Sequence, residues 1–245
     1  MNKIFFSIII PVLNEENYIL DALRSLERQT ESNFEVIIVE NGSQDNTLKV
    51  IKNYKKTSKL KIKIVFCKKR GISYARNFGS KKARGEYLIF FDADGLIANT
   101  WIEVAGKLLK NKPDIKICGG PIFYTSSNPY NYILYNAYLY GYIILSLLIA
   151  PLWKRCYHFC GNNMLINKEL FFKLGGFPNI VGEDIEFTKI IHKKNVPKQH
   201  LYFSPKLKVY YSSRRFKAKG FVRNVIDWIR DFSNKKDSSK YDLYR

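Results

Sequence analysis

Cysteine and acidic residues are both scarce in this chain, and each scarcity narrows what the protein can be. Four cysteines (Cys67, Cys118, Cys156 and Cys160) in 245 residues are too few for a disulfide framework. A reduced, cytoplasmic location is the expectation that follows. Cys156, His158 and Cys160 lie close together, but a structural zinc site normally has four ligands and no second cluster supplies the rest. Asp and Glu number 21 against 41 Lys and Arg, leaving a formal net charge of +20. Self-repulsion of that size implies an anionic partner: nucleic acid, anionic lipid or a phosphorylated substrate. Small residues marking a cleavage site are missing after the apolar run that follows Met1-Asn2-Lys3, so a signal peptide is not expected. Internal repeats and low-complexity linkers are absent too.

What is present is the composition of a globular protein, 46% hydrophobic and 25% charged, with 17 Tyr and 17 Phe. The length suits one sizeable α/β core. Ser7 to Val12, Phe34 to Val39, Lys61 to Phe66 and Glu86 to Phe91 are apolar runs that read as strands. Helical spacing lies between them, at Tyr18, Ala22, Leu23 and Leu26, at Leu48, Ile51 and Tyr54, and at Ile72, Ala75, Phe78, Gly79 and Ala83. This alternation predicts βαβ units and a mostly parallel sheet flanked by helices. Ile102 to Leu109 predicts a further helix, Ile115 to Ile117 and Pro121 to Tyr124 further strands. Met164 to Ile166 predicts a strand, Glu169 to Leu174 and Asp184 to Lys193 helices, and Leu207 to Tyr211 a last strand. In such sheets ligands bind beyond the carboxyl ends of the strands, so the chemistry is sought after each apolar run.

Phe90-Phe91-Asp92-Ala93-Asp94-Gly95 carries the strongest local signal. Two carboxylates one residue apart at a strand end are costly to hold together unless a cation neutralises them. Oxygen-only ligands suit Mg²⁺ or Mn²⁺ bound together with substrate phosphate. Pro11-Val12-Leu13-Asn14-Glu15-Glu16 and Glu40-Asn41-Gly42-Ser43-Gln44-Asp45 follow the first two strands. Their polar groups suit either a nucleoside or the capping of the helices that follow.

Taken in order, Ser7-Ile-Ile-Ile-Pro-Val-Leu-Asn-Glu-Glu, Val39-Glu-Asn-Gly-Ser-Gln-Asp-Asn-Thr, Ala75-Arg-Asn-Phe-Gly with Ala83-Arg-Gly-Glu-Tyr, and Phe91-Asp-Ala-Asp-Gly resemble the motifs of the family 2 glycosyltransferases. Gly161-Asn162-Asn163 and Gly182-Glu183-Asp184 resemble that family's acceptor-side motifs, so the likeness runs from about residue 7 to about residue 195. Each motif alone is unspecific; the ordered set is specific. The resemblance implies a nucleotide-diphospho-sugar transferase-like GT-A fold, an inverting mechanism and a divalent metal, Mn²⁺ or Mg²⁺. It implies a single domain over 1–211, with a donor half to about residue 98 and an acceptor half beyond, followed by a basic tail over 212–245.

Carried over by position, Pro11, Glu15, Glu40 and Asn41 bind the donor nucleoside and Arg70 its diphosphate. Asp92 lies near ribose and metal, and Asp94 holds the metal. Asp184 is the catalytic base, with Glu183 beside it in an acceptor-contacting role. Gly161, Asn162 and His158 face the acceptor. Two departures stand out. Many members have two Asp where this chain has Glu40-Asn41, which leaves the nucleotide open, with UDP before dTDP and GDP. Ser212-Ser213-Arg214-Arg215 stands where processive members carry Gln-x-x-Arg-Trp, which implies one sugar per turnover.

Tyr132 to Trp153 approaches a membrane span in length. A span there would put Asp92 and Asp94 on the opposite side from Asp184, so a buried or an interfacial helix is expected instead. From Lys189 to Arg245 there are 16 Lys or Arg against four Asp, and an amphipathic pattern runs through Phe221, Val225, Trp228, Ile229 and Phe232. Basic residues near an anionic leaflet contribute about 1 kcal/mol each. The expectation is therefore peripheral attachment at the inner face of the cytoplasmic membrane and a lipid-linked or glycan acceptor. A nucleotidyltransferase is the first rival, but it would place a Gly-rich loop after the first strand. A basic nucleic-acid-binding module is the second, but carboxylates at several strand ends would repel phosphate.

Overall fold

The computed structural model describes residues 5–126, 128–149, 159–214, 216, 220–223 and 226. The elements run β1 (Phe6–Val12), α1 (Ile19–Glu27), β2 (Phe34–Glu40), α2 (Thr47–Thr57), β3 (Ile62–Phe66), α3 (Ile72–Lys82), β4 (Tyr87–Phe90) and β5 (Gly95–Ile97). They continue with α4 (Trp101–Asn111), β6 (Ile117–Gly119), β7 (Ile122–Thr125), α5 (Pro129–Ile149) and β8 (Met164–Asn167). The last are α6 (Lys168–Lys173), α7 (Glu183–Lys193), β9 (Leu201–Phe203) and β10 (Val209–Ser212).

Seven strands form one sheet in the order β3-β2-β1-β4-β8-β6-β9. Neighbours are parallel except at β8, which is antiparallel to both β4 and β6. β1 and β2 are buried on both faces, as parallel strands covered by helices must be, and their near-continuous Ile and Val runs follow from that. The pleat sends Ile8, Ile10, Val36 and Ile38 into one core layer with α1 and α4. Ile9, Ile37 and Val39 enter the other, with α3, α6 and α7. Ile19, Ala22, Leu23 and Leu26 supply the buried stripe of α1 at helical spacing.

From β1 the chain builds outward to β2 and β3, then returns to place β4 on the other side of β1. The crevice between β1 and β4 is thus a topological switch point, where open α/β sheets bind ligands. The two strands pair only as far as Ile9 and Phe90. Pro11, which has no N–H to donate, lies beyond the end of that ladder. β5, β10 and β7 form a second, small sheet. In it Tyr211 of β10 pairs with Gly95 of β5, and the Ser212 N–H donates to the Asp94 carbonyl at 3.3 Å. That pairing brings the start of the basic tail against the Asp92–Asp94 loop.

The strands and helices expected over the first 91 residues are present with ends shifted by one or two residues. Two strands were not anticipated, β5 and β9, each of three residues and too short to show alternation. The strand expected at Ile115 begins instead at Ile117. Ile115 is used from below, its carbonyl accepting the buried Tyr87 hydroxyl at 3.1 Å. α5 takes the apolar stretch from Pro129, earlier than its first apolar run suggested. Tyr135 and Asn136 are buried while Tyr130, Tyr132 and Ile133 are exposed. Among the described residues no helix is long and apolar enough to cross a membrane. Cys156, His158 and most of the expected tail helix, Val225, Trp228, Ile229 and Phe232 included, lie outside the described residues.

Candidate active site

The loops after β1 and β2 are laced together by side chains. The Ser43 hydroxyl accepts the Asn14 N–H at 3.2 Å and the Asn14 carbonyl oxygen accepts from Gln44 N–H at 2.8 Å. Thr47 Oγ1 accepts from the Glu15 N–H at 2.7 Å, and Asp45 accepts from Glu16 N–H at 3.1 Å. Glu40 accepts from the Gly42 and Ser43 amides, at 3.0 and 2.5 Å. Helix capping was one of the two readings open for these motifs. Their polar groups tie one loop to the other, and Asp45 also accepts the N–H of Thr47, the first residue of α2, at 3.0 Å.

Asn41 has a different job from a base-reading side chain. Its amide donates to the carbonyls of Cys67 and Lys69 and accepts from the Gly71 N–H, each at 2.8–2.9 Å. Both N–H groups are spent on the loop that carries Arg70, which is exposed. A carboxylate could not make those two donations. The departure from the two-Asp pattern therefore has a local structural reason.

Arg76 is the hub of the site, and the motif reading gave it no role. α3 lies against β1 and β2 with small residues, Ala75, Gly79 and Ser80, beside a guanidinium that is only 2% exposed. Its Nη2 donates to Asp92 Oδ1 at 2.8 Å and its Nη1 to Glu183 Oε1. Asp184, next in the chain, adds its charge, and the guanidinium is held firmly protonated despite its burial. Arg76 Nε has no hydrogen-bond partner among the described residues. A cation on the buried face of a helix is the sequence signal that marks such a hub.

Gly161 makes room for this arrangement. A Cβ there would sit 2.5 Å from Arg76 Nη1 and 3.1 Å from the Asp184 side chain. Its N–H donates to Asp184 Oδ2 at 2.9 Å, fixing the carboxylate against the loop. Gly182 starts α7 with φ of 74°, a left-handed conformation that glycine adopts without cost. Glu183, Asp184 and Glu186 then occupy the first turn, where the helix dipole favours anions. Burial pushes the Glu183 carboxyl above its ordinary range, against the opposing pull of Arg76. The buried Tyr211 hydroxyl donates to the Asn162 carbonyl at 2.6 Å beside Asp92, linking both loops to β10. The Asn162 side-chain oxygen is buried without a partner among the described residues.

A second arginine closes the opposite side. Arg214 donates from both terminal nitrogens to Glu15, at 2.6 and 2.7 Å, and its Nε lies 3.0 Å from Asp94 Oδ2. Its guanidinium also stacks over the Tyr18 ring at 4.4 Å. Arg214 is thus an ion-paired part of the site and not a solvated charge of the tail. Gathered at the switch point are thus Glu15, Asp92, Asp94, Glu183 and Asp184, together with Asn162 and Gly161. Glu40 ends β2, Asn41 and Arg70 belong to the flanking loops, and His158 lies outside the described residues. No group of three or more His, Cys, Asp or Glu able to hold a metal occurs among the described residues. Asp92 and Asp94, hard oxygen donors one residue apart, fit a Mg²⁺ or Mn²⁺ that completes its shell with phosphate oxygens and water.

A doubly wound sheet with carboxylates converging on its switch point and an antiparallel strand at β8 is the fold of the GT-A glycosyltransferases it superposes on. The chain belongs to glycosyl transferase family 2, whose model matches residues 7–175. It is 29% identical over 233 residues to an uncharacterized glycosyltransferase of Haemophilus influenzae, covering 92% of this chain and 88% of that one. It is 34% identical over 138 residues to the minor teichoic acid biosynthesis protein GgaB of Bacillus subtilis, covering 54% of this chain but 15% of that protein. Among solved structures, the mannosyltransferase PcManGT of Pyrobaculum calidifontis, in complex with GDP-Man and Mn²⁺, superposes with a TM-score of 0.66 at 22% identity. The match covers 94% of this chain and 66% of that one. S. aureus TarS 1-349 in complex with UDP-GlcNAc gives a TM-score of 0.65 at 20% identity, over 86% of this chain and 59% of that one. The chain therefore spans less than two thirds of these two solved relatives.

Proposed function

We propose that the protein transfers one sugar, with inversion, from a nucleotide diphosphate donor to an acceptor hydroxyl, with a divalent cation at Asp94 and Asp92. The observation that carries this reading is the convergence of Glu15, Asp92, Asp94 and Asp184 from three separate elements on one crevice, held in register by Arg76 and Arg214. The donor half, to about residue 98, supplies the pocket floor: Glu15 and the Asp92–Asp94 loop, with the Asn41-anchored loop and Arg70 as its rim. The acceptor half supplies Gly161, Asn162 and Asp184. Asp184 takes the proton of the attacking hydroxyl; Gly161 N–H and the Ile185 N–H hold its carboxylate in place, each at 2.9 Å. Glu183 acts through Arg76, positioning Asp92. When bound, the cation offsets the charge that grows on the leaving diphosphate.

UDP-sugars remain the first choice of donor. The neighbours in complex with UDP-GlcNAc and with GDP-Man support a nucleotide-sugar but leave the base open. The acceptor is read as lipid-linked or part of a surface glycan, a reading supported by the teichoic acid relative and by the tail's charge. Exposed Tyr130, Tyr132 and Ile133 on α5, with exposed Val222 and Ile226 beyond Phe221, support peripheral attachment to an anionic leaflet.

The test is a donor screen on the purified chain. Thermal stabilisation and donor hydrolysis are followed across UDP-, GDP- and dTDP-sugars, with and without Mn²⁺, for wild type and Asp94→Ala. One nucleotide class acting only with Mn²⁺, and lost in Asp94→Ala, is the expected result. No Mn²⁺-dependent binding of any nucleotide sugar refutes the donor site.

A further inference from the structure

Arg214 sits where its charge matters most. It is the third residue of the tail, and the small β5-β10-β7 sheet delivers it to the Asp94 loop. Its bidentate pair with Glu15, which is 3% exposed, is the strongest geometry an arginine can make with a carboxylate. The same guanidinium lies against Asp94, the residue assigned to the cation. Arg76 holds Asp92 from the other side but is sealed in the core, so it cannot leave. Arg214 differs in having solvent on one side, its side chain 23% exposed, although Ser213 and Phe216 near it are buried.

We propose that Arg214 is an internal counter-ion that competes with the divalent cation for Asp94, so that loading of the cation requires Arg214 to withdraw. The inference rests on the assignment of Asp94 as a cation ligand. The guanidinium occupies Asp94 Oδ2 and repels a divalent cation brought to the same carboxylate, and an arginine does not escape by losing its proton. The burial that would weaken its protonation is outweighed by Glu15 and Asp94, which hold it charged. Exchange, cation in and guanidinium out, is then the route open to the site. A ligand shifts such an equilibrium only by its preference for one of the two states.

The exchange also has a mechanical consequence. Phe216, two residues past Arg214, is stacked on Tyr135 of α5 at 4.2 Å and meets Tyr124 of β7 edge-on at 5.1 Å. Phe221 stacks on Phe216 in turn, at 5.8 Å. Withdrawal of Arg214 therefore pulls on the contact between the tail and the helix whose exposed face carries Tyr130 and Ile133. The tail is tied to the loading state of the donor site.

Mn²⁺ alone is the probe, titrated into the full chain without nucleotide and read as free Mn²⁺ by electron paramagnetic resonance. Arg214→Gln is expected to bind Mn²⁺ roughly tenfold tighter than wild type, because the competing charged hydrogen bonds are gone. Arg214→Lys, a point charge that cannot span Glu15 and Asp94 together, is expected to fall between them. Asp94→Asn in the Arg214→Gln background removes the gain, which assigns it to this carboxylate. A purely structural Arg214 predicts the opposite sign, since loosening the loop weakens binding. Equal or weaker Mn²⁺ binding by both Arg214 variants overturns the competition. If that result comes with Mn²⁺ binding that still depends on Asp94, the donor-site assignment survives alone. If no protein binds Mn²⁺ with or without UDP-sugar, both fall. Arg214→Lys keeps the comparison decisive should Arg214→Gln fail to fold.

Discussion

A guanidinium with 2% of its side chain exposed and carboxylates on two sides is held by what surrounds it, and Arg76 in turn holds them. Asp92 belongs to the loop after β4 and Glu183 to the start of α7, so one side chain joins two elements across the crevice. Removing one partner of a buried ion pair leaves the other charge uncompensated. Arg76→Met is accordingly expected to cost about 3–5 kcal/mol of folding stability, measured by urea denaturation. Pairing it with Glu183→Gln is expected to recover part of that loss, because the two changes share one interaction. A loss below about 1 kcal/mol in the single variant would mean that the bridge contributes little. Arg76 was legible in the sequence as part of Ala75-Arg-Asn-Phe-Gly, but its partners lie 16 and 107 positions away. No local pattern names them.

At the scale of elements, the site depends on loops that have no regular structure of their own and are stiffened by side chains from neighbouring loops. Asn41 is the clearest case. It closes the strand-end loop that leads into α3, satisfying two carbonyls and one N–H that the sheet leaves over. Asn41→Asp is expected to destabilise the protein by about 1–3 kcal/mol, the cost of leaving buried polar groups unpaired. It should also raise the donor KM while changing kcat less, because the loop with Arg70 loosens rather than the base. A donor titration and a denaturation curve on the same variant check both halves. The regular elements were readable because parallel strands demand long apolar runs and amphipathic helices a fixed spacing. β5 and β9 escaped because three residues carry no period and their place depends on partners far along the chain. The lacing of Asn14 to Ser43 and Gln44 escaped for the same reason: its groups looked equally suited to capping.

At the scale of the whole molecule, a basic C-terminal stretch is joined by exposed apolar side chains on α5 and near Phe221. The stretch from Lys189 to Arg245, with 16 Lys or Arg against four Asp, supplies much of the net charge, and α5 and the segment at Phe221 expose Tyr130, Ile133, Val222 and Ile226. The protein is expected to sediment with vesicles containing anionic lipid, to stay in solution with purely zwitterionic ones, and to come off as salt is raised. Cosedimentation at two ionic strengths checks this; binding that ignores both lipid charge and salt would argue against the attachment. The dependence on salt is the sharper signature, because screening acts on the basic residues and leaves the apolar contacts in place.

Some of this protein was determined by sequence alone. The order of apolar runs and amphipathic spacings sets an α/β sheet, and the ordered motifs from Ser7 to Asp184 set the glycosyltransferase family, because local chemistry and chain direction suffice for both. Glu15, Asp92 and Asp94 lie where the rule that strand ends carry ligands directs the search, whereas Asp184 was indicated by the family resemblance alone. Only the tertiary structure decided which charges answer which. Arg76 reaches Glu183, Arg214 reaches back 199 positions to Glu15, and Asn41 ties down the loop before α3. The physical reason is that a buried charge or amide is satisfied by whatever the folded chain brings within hydrogen-bond distance, and that is set by topology rather than by neighbours in sequence.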